Sequence, residues 1–67
     1  MVLWINKIQQ QYEEPLSLLE LLEQLQKAQQ SGIAVAVNNT VIPKSNWSSQ
    51  QLQEQDTITI ITATQGG

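Results

Sequence analysis

Residues 15–25, PLSLLELLEQL, contain the clearest helix start in the chain. Ser17 is a preferred N-cap residue, and Glu20 follows three positions later, which is the pattern of a capping box. Apolar residues then recur at helical spacing and form one stripe: Leu18, Leu21, Leu22, Leu25 and Ala28. We predict a helix that starts after Ser17 and ends at Ser31-Gly32, because glycine accepts the left-handed conformation that often closes a helix.

The segment before this helix has the pattern of a hairpin. Residues 1–6 are almost continuously apolar, which is typical of a central strand. Asn6-Lys7 can turn the chain, and residues 8–12 then offer a weak, polar second strand.

The segment after the helix contains three further strand patterns. Residues 33–37 alternate large and small apolar side chains, and Asn38-Asn39 suits a tight turn because asparagine tolerates a positive φ. Pro43 places the short return strand 41–43 at a sheet edge. Residues 57–63 alternate threonine and isoleucine and predict the last strand.

These elements predict an α+β domain in which a single helix covers one face of a mixed sheet of four to five strands. Trp47 is the only large apolar residue in a polar stretch, and we expect it to cap the core, with Leu52 buried beside it.

The composition excludes most catalytic classes. The 67 residues include no Cys and no His, so the chain lacks a thiol nucleophile, the commonest metal ligands and the usual neutral-pH base. Three basic and six acidic residues give a net charge of −3, which predicts no nucleic-acid partner. No apolar run approaches the roughly 20 residues of a membrane span. The apolar start is shorter than a signal-peptide core, so we expect a cytoplasmic location and no membrane partner.

Several residue runs, in this order of elements, resemble the ThiS/MoaD family of ubiquitin-like sulfur carriers, and within it the branch that serves thiamine biosynthesis. The runs are SLLELLEQL (17–25), VAVNN (35–39), VIPKSNW (41–47), LQEQD (52–56) and the terminal Gly66-Gly67. A terminal Gly-Gly is a weak signal alone but a specific one beside the other runs. Gln55 departs from the family pattern, which usually has glycine there, and a positive φ would strain it mildly.

The resemblance implies a β-grasp fold over residues 1–63, with the last strand between the first and the third, and a flexible tail over 64–67. It implies that a ThiF-like adenylating enzyme consumes ATP to activate the carboxylate of Gly67, and that a cysteine desulfurase-derived sulfur donor converts it to a thiocarboxylate. A ThiG-like thiazole synthase then receives the sulfur. The chain is accordingly expected to be a carrier rather than an enzyme, with no permanently bound cofactor or metal.

A docking surface is expected next to the tail, because the tail alone is too small to give specificity. In the implied topology, the residues expected to face the helix are Leu3, Ile5, Val35, Val37, Ile58 and Ile60. Alternation then turns Ala34 and Thr59 outward, together with the predicted partner-binding residues Trp4, Ala36, Ile61 and Ala63. Thr64, Gln65 and Gly66 complete the predicted partner-binding set. Exposed Trp4 and Ile61 are the expected anchors, although a register shift that buries Trp4 stays open.

Three other functions stay open at this point. A MoaD-like carrier for molybdopterin synthesis would use the same thiocarboxylate. A ubiquitin-type modifier would instead leave Gly67 in an isopeptide bond with lysine. A non-catalytic β-grasp interaction module would bind its partner with an inert tail.

Overall fold

The computed structural model describes residues 1–62, and within that range the chain forms one α-helix and five strands. The helix is α1 (Leu18–Gln24), and a short 3-10 turn covers Lys44–Asn46. The strands are β1 (Val2–Ile5), β2 (Ile8–Gln11), β3 (Ile33–Val37), β4 (Thr40–Val41) and β5 (Thr57–Thr62).

The strands form one mixed sheet in the order β2-β1-β5-β3-β4. β1 and β5 are parallel, and the other neighbouring strands are antiparallel. The predicted class, one helix on a mixed sheet of four to five strands, is confirmed, as is the position of the last strand between the first and the third. The predicted domain boundary between residues 63 and 64 lies outside the described residues. None of the helical structure within residues 1–62 is long and apolar enough to cross a membrane.

The start of α1 follows the predicted capping box. The Ser17 hydroxyl oxygen accepts from the Glu20 backbone N–H at 3.1 Å, and the Ser17 N–H donates to Glu20 Oε1 at 2.9 Å. Such a cap is worth about 1 kcal/mol. The helix buries Leu18, Leu21 and Leu22 against the sheet.

The predicted end of the helix at Ser31-Gly32 is wrong, because α1 ends at Gln24. Gln26 takes a φ of 60°, which is left-handed. Its N–H donates to the Glu23 carbonyl at 3.0 Å, and the Lys27 N–H donates to the Leu22 carbonyl at 2.7 Å. These two bonds form a Schellman motif with glutamine in the position where glycine is usual. Ala28 nevertheless stays buried, although it lies beyond the helix.

The core lies between α1 and the inner face of the sheet. All six residues predicted to face the helix are buried, which confirms the register of the three central strands: Leu3, Ile5, Val35, Val37, Ile58 and Ile60. Trp47 is buried in this core, and its indole Nε1 donates to the Ile42 carbonyl at 2.9 Å. Leu52 is buried in the same cluster. The prediction that Trp47 and Leu52 pack together with the core is confirmed.

Both hairpins turn through two residues with positive φ. Asn6 and Lys7 have φ values of 49° and 72°, and Asn38 and Asn39 have values of 51° and 70°. Two such residues are required by the type I′ turn, whose twist matches that of the flanking strands. The predicted turn at Asn38-Asn39 is confirmed.

Candidate functional site

β5 is the strand that leads toward the C-terminus, and it lies in the centre of the sheet. It pairs with β1 on one side up to Ile5–Ile58 and with β3 on the other side up to Ile33–Thr62. The predicted site of modification, Gly67, and the predicted partner-binding residues Gly66, Gln65, Thr64 and Ala63 lie outside the described residues. The five residues that follow Thr62 can span at most about 18 Å when fully extended.

The C-terminal half of β5 is held by the side chain of Asn6. Its Oδ1 accepts from the Ile60 N–H at 2.7 Å, and its Nδ2 donates to the Ile60 carbonyl at 3.2 Å. The backbone N–H of Asn6 also donates to the Ile58 carbonyl at 2.9 Å. One residue of the first hairpin turn therefore makes three hydrogen bonds to the last strand.

The other end of β5 is held by Asn38, which lies in the second hairpin turn. Its Oδ1 accepts from the Thr57 N–H at 2.9 Å, and its Nδ2 donates to Asp56 Oδ1 at 2.9 Å. The Gln53 N–H donates to the second carboxylate oxygen of Asp56 at 2.8 Å. The sequence predicted the Asn38 turn but neither of its side-chain contacts, to Asp56 and to Thr57.

The sheet face opposite α1 carries an apolar patch, which we call the outer face. It consists of Ala34, Ala36, Val41, Thr59 and Ile61. The register pairs Ala34 with Ile61, and Ala36 with both Thr59 and Val41, so these side chains lie side by side. Ile61 is 60% exposed and Val41 is 68% exposed. The side chains of Ala34 and Ala36 are small, so they protrude less from the sheet than Ile61 and Val41 do.

The structure thus brings together two of the predicted partner-binding residues, Ala36 and Ile61. The sequence interpretation missed Val41. Its signal was the tight turn at Asn38-Asn39, which fixes the register of β4 and sets Val41 opposite Ala36.

Trp4 faces outward as predicted, but it is half-buried rather than fully exposed. It pairs with Thr57, so it lies about 13 Å from Ile61 measured along β5. Its indole Nε1 donates to Gln55 Oε1 at 3.1 Å. The structure therefore corrects the expectation of an exposed Trp4. Its role in partner binding stays a prediction.

Gln55 has the positive φ that the resemblance suggested for this position. Its φ is 70°, and its N–H donates to the Val2 carbonyl at 2.7 Å. The turn therefore requires the left-handed conformation, and glutamine accepts it while adding the side-chain contact to Trp4.

An open cleft of about 610 Å³ lies between the end of β2 and α1. Its polar lining consists of glutamine, glutamate and tyrosine side chains: Gln11, Tyr12, Glu13, Glu20 and Gln24. No group of three or more His, Cys, Asp and Glu side chains comes together within residues 1–62.

Comparison with known proteins extends the similarity over almost the whole chain. The ThiS family model matches residues 3–67. The sulfur carrier protein ThiS of Escherichia coli strain K12 is 38% identical over 48 residues, which cover 72% of this chain and 71% of the relative.

Two solved structures have the same fold. The crystal structure of a thiamine biosynthesis protein (ThiS) from Geobacter metallireducens has a TM-score of 0.86 at 25% identity, with both chains fully covered. A solution NMR structure of a thiamine biosynthesis protein from Geobacter metallireducens has a TM-score of 0.80 at 25% identity. It covers all of this chain and 88% of the other.

Proposed function

Because the chain belongs to the ThiS family of sulfur carriers, we propose that it carries a sulfur atom on the C-terminal carboxyl group of Gly67. The family match reaches the last residue, and this is the observation that supports the proposal most directly. The chain then acts as the substrate of successive partner enzymes and has no catalytic site of its own.

The carboxylate must be activated before it can take up sulfur, because its negative charge repels nucleophiles. In the proposed reaction, a ThiF-like enzyme transfers AMP from ATP to the Gly67 carboxylate and releases pyrophosphate. The terminal sulfur of a cysteine desulfurase-derived persulfide attacks the acyl carbon and displaces AMP. A thiol then reduces the resulting S–S bond and leaves the thiocarboxylate.

The product of this sequence is a thiocarboxylate that a ThiG-like thiazole synthase uses for thiazole formation. The thiamine branch is supported by the relatives, whose names refer to sulfur carriage and to thiamine biosynthesis. A cytoplasmic location stays a prediction of the same proposal.

The position of β5 supports the use of the C-terminus as the reactive group. β5 is hydrogen-bonded on both sides, and Asn6 holds it at Ile60, so the segment after Thr62 starts from a fixed point. Gly66 and Gly67 have no Cβ atom, so a narrow catalytic channel can admit them and a nucleophile can approach the carbonyl carbon unshielded.

The outer face is the surface that we propose for docking of these partners. Ile61 and Val41 are exposed on it, and exposed aliphatic side chains in a patch are typical of protein–protein contacts. Ile61 lies directly before Thr62, so a partner bound to the outer face would also be close to the start of the tail. A bound partner can then contact the folded domain and the tail at the same time.

The proposal is tested by intact mass. The chain is incubated with a ThiF-like adenylating enzyme, ATP, a cysteine desulfurase, cysteine and a thiol reductant, and its mass is measured after purification. We expect exchange of one oxygen for sulfur, localised to Gly67 by fragmentation. A variant that lacks Gly66 and Gly67 is the control, and it should keep its fold and gain no sulfur.

Two further variants test the shape of the terminus. Gly66→Leu adds a bulky side chain that the narrow catalytic channel of the partner enzyme should not admit. One residue added after Gly67 moves the terminal carboxylate away from the position of the reactive group. Both should lose sulfur loading while their circular dichroism stays unchanged. Sulfur loading of either variant at the wild-type rate would contradict the proposal.

Partner identity separates the proposal from its alternatives. Copurification with a molybdopterin synthase large subunit would favour the MoaD-like carrier, and a ladder of lysine conjugates would favour the ubiquitin-type modifier. A truncated chain that still performs its cellular role would favour the interaction module with an inert tail.

A further inference from the structure

Asn6 directly follows the last residue of β1, and the neighbouring strand β5 continues beyond this level of the sheet. The parallel ladder stops at the pair Ile5–Ile58, although β5 extends to Thr62. Beyond that pair, the carboxamide of Asn6 offers one acceptor and one donor to the backbone of Ile60. It thereby bonds both backbone groups of Ile60 that a longer β1 would have bonded, and it extends the contact between the two chain segments toward the C-terminus.

The turn itself does not require this carboxamide. Asn6 has a φ of 49°, and glycine would adopt that value at no steric cost. The side-chain contact to Ile60 is therefore a separate feature from the turn, and substitution by glycine removes the first while keeping the second.

We propose that Asn6 is a positioning residue for the reaction at Gly67: by holding Ile60, it fixes the place and direction in which the C-terminal segment leaves the sheet. This inference rests on the proposed function. Ile60 lies two residues before the end of β5, so loss of its bonds to Asn6 leaves the last residues of the strand held by β3 alone, and the strand end can then be displaced. Group transfer requires reacting atoms to be held within about 3.5 Å of each other, so such a displacement slows the chemical step.

Asn38 provides the matched control. It also lies in a two-residue hairpin turn, its φ of 51° is nearly the same, and its carboxamide also makes two hydrogen bonds, at 2.9 Å each. Those bonds reach Thr57 and Asp56, at the start of β5 and away from the tail. Asn6→Gly and Asn38→Gly thus remove similar contacts from opposite ends of one strand.

The experiment measures kcat and KM for adenylation of each variant by a ThiF-like enzyme, followed as pyrophosphate release. For Asn6→Gly we expect kcat to fall about tenfold and KM for the carrier to stay within about twofold, because the outer face is unchanged. For Asn38→Gly we expect both constants within about twofold of wild type, at a similar loss of thermal stability.

Hydrogen exchange gives a second readout that does not depend on the enzyme. The Ile60 amide should exchange faster in Asn6→Gly than in wild type, whereas Asn38→Gly should leave it unchanged. Equal exchange at Ile60 in all three proteins overturns the proposed contact.

The kinetic outcomes are each decisive. Unchanged kcat for Asn6→Gly, or an equal loss for both glycine variants, overturns the positioning role and leaves only a structural one. A wild-type chain that is not adenylated at all defeats the proposed function first, and the inference with it. Should Asn6→Gly fail to fold, Asn6→Asp replaces it, with Asn38→Gly kept as the control. Asn6→Asp keeps the oxygen that accepts from Ile60 but lacks the donor, and wild-type kcat for it likewise overturns the inference.

Discussion

Trp4 and Gln55 are joined by a hydrogen bond of 3.1 Å from the indole Nε1 to the side-chain Oε1. Gln55 has a φ of 70°, a conformation that costs a non-glycine residue about 1–2 kcal/mol. Glycine would remove that cost, but it would leave the indole without this acceptor. The pair therefore couples a strained turn before β5 to a side chain of β1.

The first prediction concerns this pair. Gln55→Gly should raise the free energy of unfolding by about 0.5 kcal/mol, because relief of the backbone strain exceeds the value of one exposed hydrogen bond. Gln55→Ala, which keeps the strain and loses the bond, should be less stable than wild type. Urea denaturation measures both, and a glycine variant less stable than the alanine variant would contradict the interpretation.

The second prediction concerns the end of α1. Gln26→Gly should raise the free energy of unfolding by about 1 kcal/mol, because Gln26 occupies the left-handed position of the Schellman motif. For a domain of this size, that gain corresponds to a rise in melting temperature of roughly 4–8 °C. Gln24→Gly, within the helix, is the control and should lower the melting temperature. The same direction of change for both variants would argue against a specific left-handed site.

The third prediction concerns the start of α1. Ser17→Ala removes the hydroxyl that accepts from the Glu20 N–H and should cost about 1 kcal/mol of stability in thermal or urea unfolding. Ser31→Ala, at an exposed position outside the helix, should change stability by less than about 0.5 kcal/mol. Equal stability of the two variants would show that the cap contributes little.

The fourth prediction concerns the outer face. Ile61→Ser should weaken binding to a ThiF-like adenylating enzyme at least about tenfold, measured by calorimetry, because an apolar anchor is lost. Ile8→Ser is a close match, since Ile8 is 61% exposed and Ile61 is 60% exposed, but Ile8 pairs with Ile5 on the other side of the sheet. It should bind as wild type does. Equal affinities for both variants would remove the outer face as the docking surface.

Local patterns predicted most of the fold because each depended on neighbouring residues. The capping box at Ser17 and Glu20, the strand alternation and the Asn38-Asn39 turn all involve residues within a few positions of one another. The end of α1 was predicted wrongly because the residue in the left-handed conformation is Gln26. Glycine is the usual residue at that position, so the sequence pattern favoured Gly32 instead.

The site was less accessible to sequence reasoning, for a different physical reason. Ile61 and Ala36 follow from alternation on known strands, so they could be predicted. The contacts of Asn6 with Ile60 and of Trp4 with Gln55 join residues from opposite ends of the chain. Side-chain bonds of that kind depend on the assembled sheet, and no local pattern encodes them. The proposed chemistry at Gly67 came from family resemblance rather than from any arrangement of side chains.

The central place of β5 also has a consequence for biosynthesis. Ribosomes make β5 after every other described strand, yet β1 and β3 meet only through it. A nascent polypeptide therefore cannot close its hydrophobic interior until residues 57–62 have emerged from the exit tunnel. Chains that terminate before that point cannot fold and are accessible to proteases. The folded domains in the cell are therefore chains that include the whole of the last strand.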